Sequence, residues 1–261
     1  MKEFDFKKEF SSDSFNIIAG PCAVENYDLL YRTAAFLKEL GIKFLRGGTS
    51  KLRTSPHSFQ GLGDEAINYL NQIAGELGLY SVSEITDVRD IEVFSKKIDI
   101  ILVGTRNMYN YPLLSEIGKT GKPVILKRGM SATIEEWLLA AEYIAVEGNK
   151  QIIMCERGIR TFEASTRNTL DLSAVSIVKK KCTYPVIVDP SHASGLAELV
   201  PSLSLASTAG GADGLIIELH PYPERALSDA QQMLDFNKFA ELYEQIISLK
   251  SFLREKNTCQ K

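Results

Sequence analysis

The sequence predicts an α/β fold, a single-domain (β/α)8 barrel spanning residues 1–261, and three observations carry that expectation. Eight short apolar runs read as buried parallel strands, helically spaced segments follow them, and the length suits one hydrophobic core. The runs are FNIIAG from Phe15, KFLRGG from Lys43, LYSVSEI from Leu79, DIILVGTR from Asp99, PVILKRG from Pro123, QIIMCERG from Gln151, PVIVDPSH from Pro185 and GLIIELH from Gly214. Their starts lie 20 to 36 residues apart, the span of one strand, loop and helix.

The segments between them justify the helices. After the second run, Ile67, Leu70, Ala74 and Leu77 form an apolar stripe closed by Gly78, a C-terminal glycine signal. After the fifth, Thr133 and Glu136 fit a capping box, and Trp137, Ala141, Ile144 and Ala145 make a stripe before Gly148. After the sixth, a helix is expected to open at Asn168 with Asp171 three residues on; Phe239, Leu242, Ile246 and Leu249 supply a closing helix. Residues 1–14 read as a short extension, a small strand or hairpin covering the barrel's bottom. An open doubly wound sheet is the structural alternative. It would more naturally show a glycine-rich phosphate loop after its first strand, and GPCAVEN is neither GxGxxG nor a P-loop.

Composition excludes several function classes. Hydrophobic residues at 44% and charged residues at 24% describe an ordinary soluble globular protein. A net charge of −3 offers no global positive field for nucleic acid, and no apolar run suggests a membrane span. The start, MKEFDFKKEFSSDSF, lacks the apolar core of a signal peptide, so a cytoplasmic protein is expected. Cys22, Cys155, Cys182 and Cys259 are irregularly spaced with no CxxC pair, which argues for reduced thiols rather than a zinc finger or disulfide framework.

In a barrel of this kind the active site is built from the C-terminal strand ends and the loops after them. Those positions hold Cys22, Arg46, Glu84, Arg106, Lys127, Glu156 with Arg157, Asp189 with His192, and Glu218 with His220. A solvated loop charge is the plain reading of any one of them. Eight charged or metal-binding ends together are costly to bury unless ligands or metals neutralise them. Arg46, Lys51, Arg53, Arg106, Lys127 and Arg157 form a cationic set suited to phosphates and carboxylates, so anionic substrates are expected. The loop RGGTSKLRTSPHSFQGLG adds Thr54 and Ser55 as donors, although on composition alone it is also an ordinary surface loop. Cys22, His192, Glu218 and Asp229, with Asp189, Glu84 and His220 nearby, could ligate one divalent metal. Spacing says little here, and a single cysteine is more often a small buried hydrophobe. Lys127 leaves open a metal-free Schiff-base aldolase.

Longer strings carry a specific likeness. AGPCAVE, LRGGTSKLRTSPHSFQGLG, GTRNMYNYPLL, KPVILKRGMSATIEEWLLAAEYI, CERGIRTFEASTRNTLDLSAV, VIVDPSHASG and GADGLIIELHPYPERALSDAQQ occur in that order between Phe15 and Gln232. They resemble the 3-deoxy-D-arabino-heptulosonate 7-phosphate (DAHP) synthases, in the short form similar to 3-deoxy-D-manno-octulosonate 8-phosphate synthases. The resemblance implies a metal-dependent condensation of phosphoenolpyruvate with erythrose 4-phosphate and water, releasing phosphate at the entry to the shikimate pathway. Carried onto matching positions, it implies metal ligands Cys22 in GPC, His192 in PSH, Glu218 in ELH and Asp229 in LSD, with Mn²⁺ foremost and Zn²⁺, Fe²⁺ or Co²⁺ tolerated. It places phosphoenolpyruvate on Arg46, Lys51, Arg106, Lys127 and Arg157, and the aldose phosphate on Arg53, Thr54 and Ser55. Lys51 and His192 are the expected catalytic residues, with Glu84 or Asp189 managing the proton of the attacking water.

Two departures stand out. Lys51-Leu52-Arg53-Thr54 replaces the family's usual Lys-Pro-Arg-Thr, removing a fixed φ, and Ala230 stands where a glycine commonly follows the aspartate. Arg53-Thr54-Ser55 favours the four-carbon aldose over the arabinose 5-phosphate of the octulosonate enzymes. The flanks of the barrel are too short for a regulatory domain, so insensitivity to phenylalanine and tyrosine is expected. The family implies a homo-oligomer, a tetramer or dimer. The contrasting class is a non-catalytic barrel that binds phosphorylated metabolites.

Overall fold

A computed structural model describes residues 4–11, 14–53 and 55–258. Eight parallel strands close a barrel in sequence order: β1 (Asn16–Gly20), β2 (Phe44–Arg46), β3 (Tyr80–Ile85), β4 (Ile100–Val103), β5 (Val124–Lys127), β6 (Ile152–Glu156), β7 (Val186–Val188) and β8 (Gly214–Glu218). Every expected apolar run contains one of them. Closure is made by β1 against β8, paired from Asn16 with Gly214 to Gly20 with Glu218. The helices are α1 (Phe6–Glu9), α2 (Tyr27–Glu39), α3 (Asp64–Leu77), α4 (Ile91–Lys97), α5 (Tyr111–Lys119), α6 (Ile134–Ala145), α7 (Ser173–Lys181), α8 (Pro190–Ser194), α9 (Val200–Ala209) and α10 (Phe236–Thr258).

Strand alternation divides the core in two. Side chains at even steps from Ile18, Phe44, Val82, Leu102, Ile125, Ile153, Ile187 and Ile216 fill the barrel, while their neighbours join the larger cluster between strands and helices. The stripes read from sequence face that outer cluster: Ile67, Leu70 and Ala74 on α3, and Trp137, Ala141 and Ile144 on α6. Gly78 closes α3 at φ 71°, and Thr133 and Glu136 complete the capping box of α6. Trp137 also donates its indole N–H to the Leu126 carbonyl at 3.1 Å, which satisfies the one polar atom of a fully buried ring.

Two sequence expectations are corrected. The N-terminal extension is helical where described, not a strand or hairpin: Asp5 accepts the Lys8 N–H and starts α1. The extension does cover the barrel's bottom, where Phe4 lies 4.8 Å from the Tyr80 ring and Phe10 lies 5.7 Å from Phe44. The helix after β6 begins at Ser173, not Asn168. Asn168 is buried and donates its side-chain amide to the His192 carbonyl at 3.2 Å, so its hydrogen bonds hold two loops together instead of capping a helix. Among the described residues no helix is long and apolar enough to cross a membrane.

Candidate active site

Alternation decides which strand-end charges enter the barrel mouth. Arg46, Glu84, Lys127, Arg157, Asp189 and Glu218 all lie at even steps from the interior residues, so their side chains converge at the C-terminal end. Glu156 has the opposite parity and faces outward, where Arg128 contacts both it and Asp171, at 2.9 and 2.8 Å. The expectation that Glu156 contributes to the mouth is therefore corrected. His220 also turns away: its Nδ1 accepts the Tyr222 N–H at 3.0 Å and its Nε2 lies 3.7 Å from Glu25.

Cys22, His192, Glu218 and Asp229 bring one donor atom each to within 4.8 Å of one another. The local folds that do this differ. Asp189 accepts the His192 N–H at 2.9 Å and caps α8, which aims the imidazole inward. His192 Nδ1 then lies 2.8 Å from Asp189 and its Nε2 3.3 Å from Glu218. Cys22 Sγ is 3.0 Å from Asp229 Oδ2. Asp229 is held at φ 49°, the one positive-φ non-glycine among the described residues, a conformation that costs about 1 kcal/mol or more. Ala230 has not displaced it.

The electrostatics suit a cation at this point. Burial, then Glu218, pushes the Cys22 thiol up to about 12. Burial alone would raise Glu218, but His192, Arg46 and Lys51 outweigh it and hold the carboxyl below its usual range. Asp229 is lowered too, burial and Glu218 being outweighed by the Cys22 hydrogen bond with Lys51 and His192. Burial holds His192 below the ordinary imidazole value against the pull of Asp189 and Glu218, leaving a neutral ring able to ligate. Lys51 Nζ reaches Cys22 Sγ at 2.8 Å and Arg46 reaches Glu218 at 2.5 Å, so protein cations already lean on the donor set. Four donor atoms gathered within 4.8 Å of one another are close enough for small local adjustments to bring all of them to one ion at bonds of about 2.0 to 2.3 Å. Sulfur, imidazole and two carboxylates form a donor set for a divalent transition metal.

Beside the cluster lies a cavity of about 290 Å³ lined by Lys51, Arg53, Ser55, Glu84, Arg106, Lys127, Arg157, His192 and Asp229. Thr54 lies outside the described residues. Arg46 is buried beneath, against Glu218 and the Cys22 carbonyl. Arg157 donates from Nη2 to the His192 carbonyl at 3.0 Å, while its Nε and Nη1, like Nη1 of Arg53, are buried with no protein acceptor. Buried guanidinium donors that lack an acceptor are expensive unless an anion satisfies them. Asp189 does not line this cavity; it is fully buried and engaged by Lys127 at 2.5 Å and by His192. Glu84 lines it with its carboxylate in space left by Gly104, where an added Cβ would stand 1.9 Å from Oε1 and force the side chain to move.

Three participants escaped the sequence reading. Gln232, buried after β8, donates to Glu218 Oε2 at 2.6 Å and accepts from Arg167 at 3.0 Å. Arg167 lines the cavity and lies 3.5 Å from Asp229. Arg128 anchors the loop that carries Asp171. Gln232 and Arg167 sit off the strand ends, so no alternation or spacing marks them, whereas Arg128 directly follows β5 and has the outward parity. A larger opening of about 1160 Å³ lies at the opposite end of the barrel, near Phe4, Gly148 and Tyr184, away from every group of the cluster.

The sequence profile of the DAHP synthetase I family matches residues 10–255. The chain belongs to the DAHP synthetase I family. Within that family, a phospho-2-dehydro-3-deoxyheptonate aldolase of Thermotoga maritima is 54% identical over 235 residues, covering 90% of this chain and 70% of the relative. The crystal structure of a Thermotoga maritima DAHP synthase superimposes with a TM-score of 0.90 at 54% identity, over 92% of this chain and 71% of that one. A truncated form from the same organism gives 0.87 at 50% identity, over 92% and 88% of the two chains. A 2-dehydro-3-deoxyphosphooctonate aldolase of Syntrophobacter fumaroxidans is 27% identical over 94% of this chain and 90% of its own.

Proposed function

We propose that the protein is a DAHP synthase, condensing phosphoenolpyruvate with erythrose 4-phosphate and water to give DAHP and phosphate. The observation that carries this reading is the Cys22, His192, Glu218 and Asp229 cluster opening onto a cavity lined by lysines and arginines with unsatisfied buried donors. Cationic walls with a donor cluster at one end suit two phosphorylated substrates and one carbonyl oxygen. A divalent ion on those four ligands, with Mn²⁺ foremost, would supply Lewis-acid polarisation at the aldehyde oxygen.

The chain's own groups account for the rest. Lys127, Arg106 and Arg157 hold the carboxylate and phosphate of phosphoenolpyruvate, and Arg53 with Thr54 and Ser55 holds the aldose phosphate. This fixes C3 of the enol against the aldehyde carbon, so orientation supplies a large part of the acceleration. The enol π pair forms the new C–C bond. Lys51, an ammonium that Cys22, Glu218 and Glu84 stabilise against burial, stands beside the cluster to give a proton to the nascent alkoxide. Positive charge at the former enol C2 is met by water, whose proton passes to Glu84. As the C–O bond breaks, the C2 hydroxyl of the hemiketal phosphate gives its proton to the departing phosphate, leaving the ketone and a phosphate in the same arginine set, and the proton on Glu84 returns by solvent exchange to Lys51. Asp189 orients His192 through its Nδ1 hydrogen and pairs with Lys127, rather than serving as the base. The Lys127 amine is engaged by Asp189 and not aimed at a substrate carbonyl.

We place the activity in the cytoplasm, where a buried thiol ligand stays reduced, and expect a homo-oligomer. Phosphate release from phosphoenolpyruvate tests the reading, measured with erythrose 4-phosphate and with arabinose 5-phosphate, before and after chelation, alongside Cys22→Ala and His192→Ala. Turnover with erythrose 4-phosphate that chelator and both substitutions abolish is expected. Preference for arabinose 5-phosphate would assign the octulosonate reaction. Binding of phosphoenolpyruvate without phosphate release under any condition would leave a metabolite-binding barrel.

A further inference from the structure

Asp229 is the ligand that the backbone holds least comfortably. It is at φ 49° between two short 3-10 turns, Pro223–Arg225 and Ala230–Gln232, on the loop that follows β8. A strained residue persists only where its surroundings over-determine it. Cys22 and Arg167 contact the Asp229 carboxylate directly, and the position of its backbone depends on what anchors the loop.

One anchor is on the loop after β1. Glu25, three residues past the ligand Cys22, accepts the N–H of Leu227 on Oε1 at 2.7 Å, two residues before Asp229. Its side chain is only 7% exposed, and its other oxygen lies 3.7 Å from Nε2 of the buried His220. The Tyr222 N–H fills Nδ1 of that ring, so the ring proton sits on Nε2, facing Glu25. The carboxylate thus bonds the Leu227 end of the segment, while the His220 Nε2 at its other end faces the same carboxylate without a hydrogen bond. It also links the two loops whose ligands meet at Cys22 Sγ and Asp229 Oδ2, 3.0 Å apart.

We propose that Glu25 is a positioning residue that holds Asp229 in its left-handed conformation and sets its distance from Cys22. Neither Glu25 nor His220 touches substrate; both act through the loop. This rests on the metal assignment made above.

The test is Mn²⁺ binding to the full-length protein, read by competition with a chelator and independent of turnover. Glu25→Ala and Glu25→Met, the second keeping side-chain volume, should each weaken Mn²⁺ about tenfold, the effect of losing a group that orients a ligand. Glu25→Gln keeps an oxygen for Leu227 and should bind Mn²⁺ within about twofold of the parent, the conservative rescue. In an Asp229→Ala background, Glu25→Met should weaken binding by less than about twofold further, because the ligand it positions is gone. Unchanged Mn²⁺ affinity in Glu25→Met overturns the proposal, as does the same loss with and without Asp229. A parent that binds no Mn²⁺, Zn²⁺, Fe²⁺ or Co²⁺ overturns the metal assignment itself, a result distinct from either.

Discussion

Gly104→Ala isolates the role of Glu84. Gly104 has φ −71° and ψ 161°, a conformation that alanine adopts freely, so the backbone is not strained by the change. The added Cβ would stand 1.9 Å from Glu84 Oε1 and 2.6 Å from its Cδ, whereas ordinary contact begins at 3.4 Å. The carboxylate must retreat by about 1.5 Å, and misplacement of a catalytic group by about 1 Å costs on the order of 100-fold, or about 2.7 kcal/mol of transition-state stabilisation. We expect kcat/KM for phosphoenolpyruvate to fall by that factor while Mn²⁺ affinity is unchanged, since Glu84 is not among the four clustered donors. Gly75→Ala in α3 is the control. Nothing lies within 4 Å of its added Cβ, and it should stabilise the fold by about 0.5 to 1 kcal/mol without touching turnover. Steady-state phosphate release with urea denaturation measures both. Retention of more than about a third of the parental kcat/KM in Gly104→Ala would show that the position of Glu84 does not matter to the reaction.

Metal uptake should depend steeply on pH. The Cys22 thiol, raised to about 12, is protonated at neutrality, and a metal must displace that proton. Apparent affinity should therefore rise about tenfold per pH unit between pH 6 and 8, and titration calorimetry in two buffers should show about one proton released; a flat profile would exclude Cys22 as a thiolate ligand. For stability, Arg128→Met strands the fully buried Glu156 and should cost about 3 to 5 kcal/mol in urea unfolding. Adding Glu156→Leu should recover most of that loss, and a double variant as unstable as the single would place the cost in packing.

The apolar runs carried most of the fold. All eight strands lie within them, because a strand buried on both faces must be nearly all apolar, and the stripe of α3 and the capping box of α6 are local chemistry. The start of the helix after β6 was not legible. Asn168 looks like a cap but spends its amide on the His192 carbonyl, a partner 24 residues away that no local pattern announces. The N-terminal extension was legible as a cover but not as a helix, since Phe4 and Phe10 take their places from Tyr80 and Phe44 on the barrel floor.

The site divides along the same line. The sequence by itself determined the donor types, the cationic set and the strand ends on which they stand, because each is a residue identity at a position counted from an apolar run. Only the tertiary structure decided which way each side chain faces. Closure of the barrel and the alternation of its strands turn Glu156 outward and Glu84 inward, and Asp189 is taken up by Lys127 and His192. Gln232, Arg167 and Glu25 enter only there. Their roles are contacts between residues 14 to 202 positions apart in the chain, which exist only in the closed fold, and the Glu25–Leu227 bond crosses the seam where the β1 and β8 edges meet.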